Sequence, residues 1–107
     1  MKYIILSLLA IVSAAAAPVE LGKVNWERKI EPAFNKSQND GKPIFLLFQE
    51  IPGWGTCKRF GSNPLSHPFV VDAAAVAFHS VAIANNKKGY DAKILKMFKE
   101  GKLMRKK

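Results

Sequence analysis

The spacing of apolar positions along the chain predicts alternating helices and strands. Residues 26–37 carry apolar side chains at the spacing of one helical face, and Asn25 could cap this helix. Pro32 would kink it or restart it near Glu31, because proline removes one backbone donor. A continuous apolar run at residues 43–48 then predicts a strand buried on both faces, as in a parallel sheet.

The second half of the chain continues this alternation. We expect a short helix that begins near Trp54, another helix capped by Ser66, a strand at residues 78–84, and a last helix that Asp91 caps and Gly101 ends. The second of these helices offers a core the apolar residues Phe69, Val70, Ala73, Ala74 and Ala77. A βαβα order after an N-terminal helix predicts α/β architecture with right-handed crossovers.

Residues 1–16 have the organisation of a secretory signal peptide. Met1-Lys2-Tyr3 is a short basic start, residues 4–12 are an almost uninterrupted apolar run, and residues 13–17 are small, as a signal peptidase requires. The apolar run is shorter than the roughly 20 residues that span a bilayer. We therefore expect cleavage and export to the periplasm or the medium. A retained signal anchor is the alternative.

Positive charge is concentrated at the C-terminal end of the chain, in the last part of the predicted domain (residues 17–101) and in the tail that follows it. Residues 87–107 contain nine basic and two acidic side chains, so they hold +7 of the formal net charge of +9. The basic tail at residues 102–107 could contact a membrane surface of anionic lipid or an acidic partner, although such a tail is more often a solvated chain end. Export argues against a nucleic-acid partner.

Cys57 is the only cysteine of the chain, so no intramolecular disulfide can form. In an exported protein a lone thiol must be buried, reactive or paired with another molecule. Its predicted place is the first turn of a helix, where unpaired backbone N–H groups, together with Lys58 and Arg59, favour the thiolate. Burial under Phe60 or Trp54 would instead favour the thiol.

The segment from Gly41 to Asn86 resembles a known family. It runs as G-K-P, an apolar stretch, then P-G-W-G-T-C, and it continues with Leu65-Ser66-His67-Pro68 and Asn85-Asn86. It is similar to small exported thioredoxin-like proteins, in which P-G-C-x-x-C follows the apolar strand and a later strand ends in Asn-Asn. The resemblance covers about half of the chain. It implies a thioredoxin-like fold and thiol-disulfide exchange with protein thiols or disulfides, without a cofactor.

The first departure from this family is Trp54. It occupies the position of the attacking cysteine, three residues before the resolving cysteine that Cys57 matches. A tryptophan can neither attack a disulfide nor release one, so Cys57 alone should form mixed disulfides without resolving them. Two alternatives stay open. Both residues could be structural and pack over the sheet, or codon 54 could be a selenocysteine UGA translated as tryptophan.

The second departure is at the C-terminal end. The thioredoxin fold continues with a β-hairpin, entered through a cis-proline, and a last helix, whereas this sequence has no proline after Pro68 and only seven residues after Glu100. We therefore expect an incomplete thioredoxin-like core with an open sheet edge, as a truncated or frameshifted gene or a diverged remnant would give. Dimerisation through that edge is the functional alternative.

No metal site is predicted, because His67, His79 and Cys57 lack the close spacing that builds one from a single turn. His67 lies in a Ser-His-Pro helix entry, which favours a capping or surface role over catalysis with Cys57. The leading hypothesis is therefore thiol-disulfide chemistry outside the cytoplasm, with Cys57 and Trp54 as the site. The alternative is a non-enzymatic exported protein whose basic tail binds an anionic surface or partner.

Overall fold

The computed structural model describes residues 18–103, so the predicted signal peptide and residues 104–107 of the predicted basic tail lie outside the described residues. The architecture is mixed α/β, as predicted. Two short 3-10 turns accompany six longer elements in the described range. In chain order these elements are α1 (Ile30–Asp40), β1 (Ile44–Gln49), α2 (Gly55–Ser62), α3 (Pro68–Ala77), β2 (His79–Ala84) and α4 (Tyr90–Lys99). None of the helices within residues 18–103 combines the length and apolar character needed to cross a bilayer.

The two strands are parallel, with Ile44 opposite His79 at one end and Gln49 opposite Ala84 at the other. On the far side of β2, Glu27 adds one parallel bridge to Val81. The Glu27 N–H donates to the Ser80 carbonyl at 2.8 Å, and the Ala82 N–H donates to the Glu27 carbonyl at 2.9 Å. Thus β2 has neighbours along both of its edges, whereas β1 (Ile44–Gln49), which matches the predicted strand at residues 43–48, has β2 on one edge only within residues 18–103. The side chains of β1 face the core on both faces of the sheet, as predicted, but most of them are only half-buried.

The core lies on both faces of this small sheet. One face packs against α1 and α4 through the buried residues Ile30, Ala33, Val81, Ile83, Ile94 and Leu103. The opposite face packs against the N-terminal segment through Leu21, Ile51, Ala82 and Ala84, with Trp26 and Leu47 half-buried beside them. Alternate side chains of each strand therefore serve different faces.

The start of α1 differs from the prediction, because the helix begins at Ile30 and not at residue 26. Trp26 and Glu27 are taken by other contacts: the Trp26 indole N–H donates to the Leu21 carbonyl at 2.7 Å, and the Glu27 backbone pairs with β2. Asn25 is therefore not the cap. Pro32 falls in the first turn of the helix, where its missing N–H removes no helical hydrogen bond.

The entry and packing of α3 also differ from the prediction. Ser66 ends a 3-10 turn, and His67 caps the helix, with its Nδ1 accepting from the Phe69 N–H at 3.1 Å. Ala74 is the one residue of α3 that is fully buried, while Phe69 is 78% exposed. A helix that is apolar on most of its surface thus contributes little to the core of the described residues.

Helix α4 ends as predicted but begins differently. Gly101, with φ of 73°, follows the helix, and the N–H groups of Gly101 and Lys102 donate back to the carbonyls of Phe98 and Met97. Asp91 does not cap the helix, since it is already the second helical residue. Its carboxylate instead accepts from the Ala84 N–H at 3.1 Å, which joins the start of α4 to the end of β2.

Candidate functional site

Cys57 lies where the chain leaves the carboxyl end of β1 and enters α2. We call residues 50–57 the Cys57 loop. Trp54 immediately precedes α2, Cys57 is the third helical residue, and the Lys58 N–H makes the first helical hydrogen bond to the Trp54 carbonyl at 3.0 Å. The predicted place of the thiol in the first turn of a helix is therefore confirmed.

The two candidate site residues differ in exposure. The Cys57 residue is half-buried, whereas Trp54 is 81% exposed. An indole that packed over the sheet would be buried, so the alternative of Trp54 as a packing residue is wrong. Lys58 and Arg59 are exposed on the same helix. The position that precedes Cys57 by three residues thus presents its side chain to solvent.

Gly53 allows the loop to close tightly over Cys57. A Cβ at this position would lie 2.6 Å from the Cys57 Cβ, 3.2 Å from its Sγ and 2.8 Å from the Glu50 carbonyl oxygen. Gly55, two residues later, has no such constraint, because a Cβ there would meet the Arg59 side chain at an ordinary 3.5 Å. Only the first of these glycines is required by packing.

A buried carboxylate from the N-terminal segment holds the loop. Glu20 is 3% exposed, and its Oε2 accepts from the Gly53 N–H at 2.7 Å. Gln49 Nε2 donates to the Glu20 backbone carbonyl at 3.0 Å. The hydrogen bond from Gly53 lowers the pKa of Glu20 below its usual value, helped by its own backbone N–H and by Lys58, while burial opposes the shift. Glu20 is therefore a carboxylate at neutral pH.

Asn86 holds the other side of the Cys57 loop. Its Oδ1 accepts from the Ile51 N–H at 3.0 Å, and its Nδ2 donates to the Pro52 carbonyl at 3.1 Å. The Ile51–Pro52 peptide bond is cis. Asn85 adds a backbone hydrogen bond to the Gln49 carbonyl at 2.9 Å. The sequence assigned no function to the Asn85-Asn86 pair. In the structure, Asn86 positions the Cys57 loop through its two side-chain hydrogen bonds.

Sequence reasoning missed Glu20. An acidic residue between Val19 and Leu21 is a weak signal, since most glutamates are solvated. A glycine inside a helix, Gly61 of α2, is a stronger signal that another segment packs closely there. A Cβ on Gly61 of α2 would lie 2.7 Å from the Glu20 carbonyl oxygen, so the N-terminal segment can rest directly on α2 only where α2 has no side chain.

The structure does not bring the two histidines to Cys57. His67 caps α3, and its ring packs against the Phe69 ring at an interplanar angle of 54°, with centroids 5.2 Å apart. His79 is the first residue of β2, so it lies at the opposite end of the strands from the Cys57 loop. Its Nε2 lies 2.9 Å from Asp40 Oδ2. In the range 18–103 no three His, Cys, Asp or Glu side chains are grouped as a metal site would need.

Comparison with models of protein families, with curated proteins and with solved structures found no match to this chain.

We predict that Gly53→Ala lowers the free energy of unfolding by about 1–3 kcal/mol, because the added methyl overpacks the loop against Cys57. Gly55→Ala is the matched control, and we expect it to change stability by less than about 1 kcal/mol in either direction. Urea unfolding of both variants measures the difference. Equal stability of the two variants would contradict the packing described for Gly53.

We predict a pH-dependent effect of Glu20→Gln. A carboxyl whose pKa is lowered by folding stabilises the fold above its unfolded pKa and loses this contribution as pH falls through the folded value. The variant should be less stable than the parent by about 1 kcal/mol at neutral pH. That gap should shrink below about pH 4. Urea unfolding across this range measures it, with Asp72→Asn on the exposed surface of α3 as control. A gap that stays constant down to acid pH would exclude the assigned role of Glu20.

Proposed function

We propose that this protein is a thioredoxin-like thiol-disulfide redox protein of the cell envelope or the extracellular space. Cys57 is its resolving or sole thiol, and Trp54 stands where the attacking cysteine or selenocysteine belongs. The observation that carries the proposal is the placement of Cys57 in the first turn of α2, directly after the carboxyl end of a parallel strand and three residues behind a solvent-exposed position.

The surroundings of Cys57 support a reactive thiol over an inert one. The residue is half-buried rather than fully buried. Backbone N–H groups at the start of α2 and the side chain of the adjacent Lys58 place positive charge near the thiol. The Glu20 carboxylate accepts from the Gly53 N–H and offsets part of that charge. The loop is held from two sides, which keeps the thiol in one position relative to an incoming disulfide.

The sheet order also supports a thioredoxin-like core. A segment before α1 pairs with β2, and β2 pairs with β1, all in parallel. This order leaves the far edge of β1 without a strand among residues 18–103. That edge is where the hairpin of the resembled family would add its strands.

The chemistry open to Cys57 alone is one half of an exchange cycle. The Cys57 thiolate attacks one sulfur of a substrate disulfide, a new Sγ–S bond forms, the substrate S–S bond breaks, and the second sulfur leaves as a thiolate. Cys57 is then oxidised and the departing sulfur is reduced. Release of the mixed disulfide needs a second thiol, which must come from another molecule because the chain has one cysteine.

The nature of residue 54 decides whether the chain completes that cycle. Side chains three residues apart at the start of a helix are neighbours, with Cβ atoms about 5–6 Å apart, so small adjustments could join sulfur or selenium at position 54 to Cys57. If codon 54 is UGA, a selenolate there would attack first and Cys57 would resolve the product. A UGG codon would exclude selenocysteine and leave Trp54 as a genuine residue.

We predict that the reduced protein forms one mixed disulfide per chain with glutathione disulfide, visible by intact mass and removed by reductant. Cys57→Ser should form none. Trp54→Cys should gain turnover, reducing the disulfides of insulin at least about tenfold faster than the parent, because it supplies the missing attacking thiol. Thr56→Cys is the matched control, since it adds a thiol to the same turn at a position adjacent to Cys57 where bridging is strained.

Two results together would overturn the redox proposal: a native Cys57 that resists both alkylation and mixed-disulfide formation, and a Trp54→Cys variant without disulfide reduction. The alternative would then stand, a non-enzymatic exported protein that binds an anionic surface or partner. One observation favours that alternative. Lys93, Lys96 and Lys99 are exposed on α4, and Glu100 partly balances them by pairing with Lys96 at 3.9 Å and with Lys102 at 3.3 Å.

A further inference from the structure

The outer edge of β1 differs from every other part of the sheet. The central strand β2 has Glu27 on one side and β1 on the other, and its residues Val81 to Ala84 are 0% exposed. All five apolar residues of β1 are only half-buried, although they lie in the same sheet and four of them pack against the same two core clusters. Within residues 18–103, β1 has a strand on one side only, which accounts for the difference.

The backbone of β1 directs a regular set of hydrogen-bonding groups to this edge. The Pro43 carbonyl accepts from the His79 N–H at 3.0 Å, and the Gln49 carbonyl accepts from the Asn85 N–H at 2.9 Å. Odd-numbered positions of β1 therefore face β2. Because the backbone groups of successive residues point to opposite sides of a strand, the N–H and C=O groups of Ile44, Leu46 and Phe48 face outward.

This edge lacks the features that usually prevent strands from pairing. No charged residue or proline interrupts Ile44 to Phe48, and the run is long enough for a regular ladder. Charges occur only at its two ends, Lys42 before the strand and Glu50 after it, and they have opposite sign. Neither side chain forms an ion pair within the described residues.

We propose that the outer edge of β1 pairs with the same edge of a second copy of this chain, antiparallel and about a two-fold axis at Leu46. In this register Leu46 lies opposite the partner's Leu46, Ile44 lies opposite the partner's Phe48, and Lys42 lies opposite the partner's Glu50. These positions are even-numbered, so the outward N–H and C=O groups of Ile44, Leu46 and Phe48 each meet a complementary group. The backbone of Lys42 stays hydrogen-bonded to Asp40 and Ser37, and Lys42 joins the contact through its side chain. This inference does not depend on the proposed function.

The end charges make this register self-complementary and disfavour the alternatives. A parallel arrangement would place Lys42 beside the partner's Lys42. An antiparallel arrangement shifted to centre on Leu47 would place Glu50 opposite the partner's Ile44 and leave Lys42 beyond the partner's strand. Opposite charges directly across a strand pair stabilise it, and like charges destabilise it. The sequence K-P-I-F-L-L-F-Q-E therefore fits a reversed copy of itself.

Side chains beside the edge extend the contact. The Phe48 ring packs against the Phe98 ring at an interplanar angle of 51°, with centroids 5.1 Å apart, and Phe98 is 49% exposed. In the proposed register this aromatic pair approaches the partner's Ile44, which gives an aromatic and β-branched pair across the strands on each side of the axis. The two sheets would then join into one, with each β1 flanked on both sides as β2 already is.

Charge reversal tests the register in protein purified from cells that express the full chain. Sedimentation equilibrium from about 1 to 300 μM should show a monomer–dimer equilibrium. Lys42→Glu and Glu50→Lys should each weaken the dimer by about tenfold or more, because each places two like-charged pairs across the axis. The double variant restores both pairs and should return the dissociation constant to within about threefold of the parent. Lys87→Glu in the exposed loop after β2 is the matched control and should change it by less than about threefold.

Amide hydrogen exchange provides a readout at single residues. The N–H groups of Phe45 and Leu47, which face β2, should be protected at all concentrations, whereas those of Leu46 and Phe48 should gain protection only as the dimer forms. A protein that stays monomeric over this range would overturn the proposal. So would a dimer insensitive to both charge reversals, or protection of Leu46 in the monomer, which would mean that another segment of the same chain covers the edge.

Discussion

The parallel pairing of β1 with β2 is the constraint on which the rest of the described structure depends. The carboxyl ends of neighbouring parallel strands lie side by side, so the loop after β1 and the loop after β2 emerge next to each other. Asn86 can reach the Ile51 and Pro52 backbone only because of this geometry. The same pairing requires a helical crossover between the strands, and α2, the helix that carries Cys57, is its first element.

The loop that holds Cys57 depends on one buried charge, the Glu20 carboxylate. The N–H of Gly53 is a donor that the tight loop would otherwise leave unpaired, and the Glu20 carboxylate satisfies it with a strong, charge-assisted hydrogen bond. The same negative charge offsets part of the positive charge at the start of α2 and on Lys58. A neutral acceptor at position 20 would leave more of that positive charge unbalanced, but it would form a weaker hydrogen bond to the Gly53 N–H.

Local signals predicted the strands and α2 well, because each follows from a continuous run and from the turn residues beside it. The start of α1 was predicted wrongly for a long-range reason: the backbone of Glu27 pairs with Ser80 and Ala82, more than fifty positions away. Helical spacing alone cannot show that competition. Glu20 was missed for a similar reason, since its partner Gly53 is 33 positions away and no spacing connects them. The core role expected of α3 failed because an apolar composition predicts burial without identifying a surface to pack against.

The strand that leads into the Cys57 loop is also the strand whose outer edge has no neighbouring strand within residues 18–103, so pairing at that edge would act on the candidate site. Glu50 is the first residue of the Cys57 loop, and its carbonyl oxygen is among the atoms against which Gly53 packs. An ion pair between Glu50 and the partner's Lys42 would therefore restrict the start of the loop. Glu20 and Asn86 already restrict the loop through their hydrogen bonds to Gly53 and to Ile51 and Pro52. Coupling of this kind is reciprocal. If a disulfide substrate distorts the loop when it binds Cys57, its binding weakens the strand pairing. The strand pairing then weakens the binding of the substrate by the same free energy.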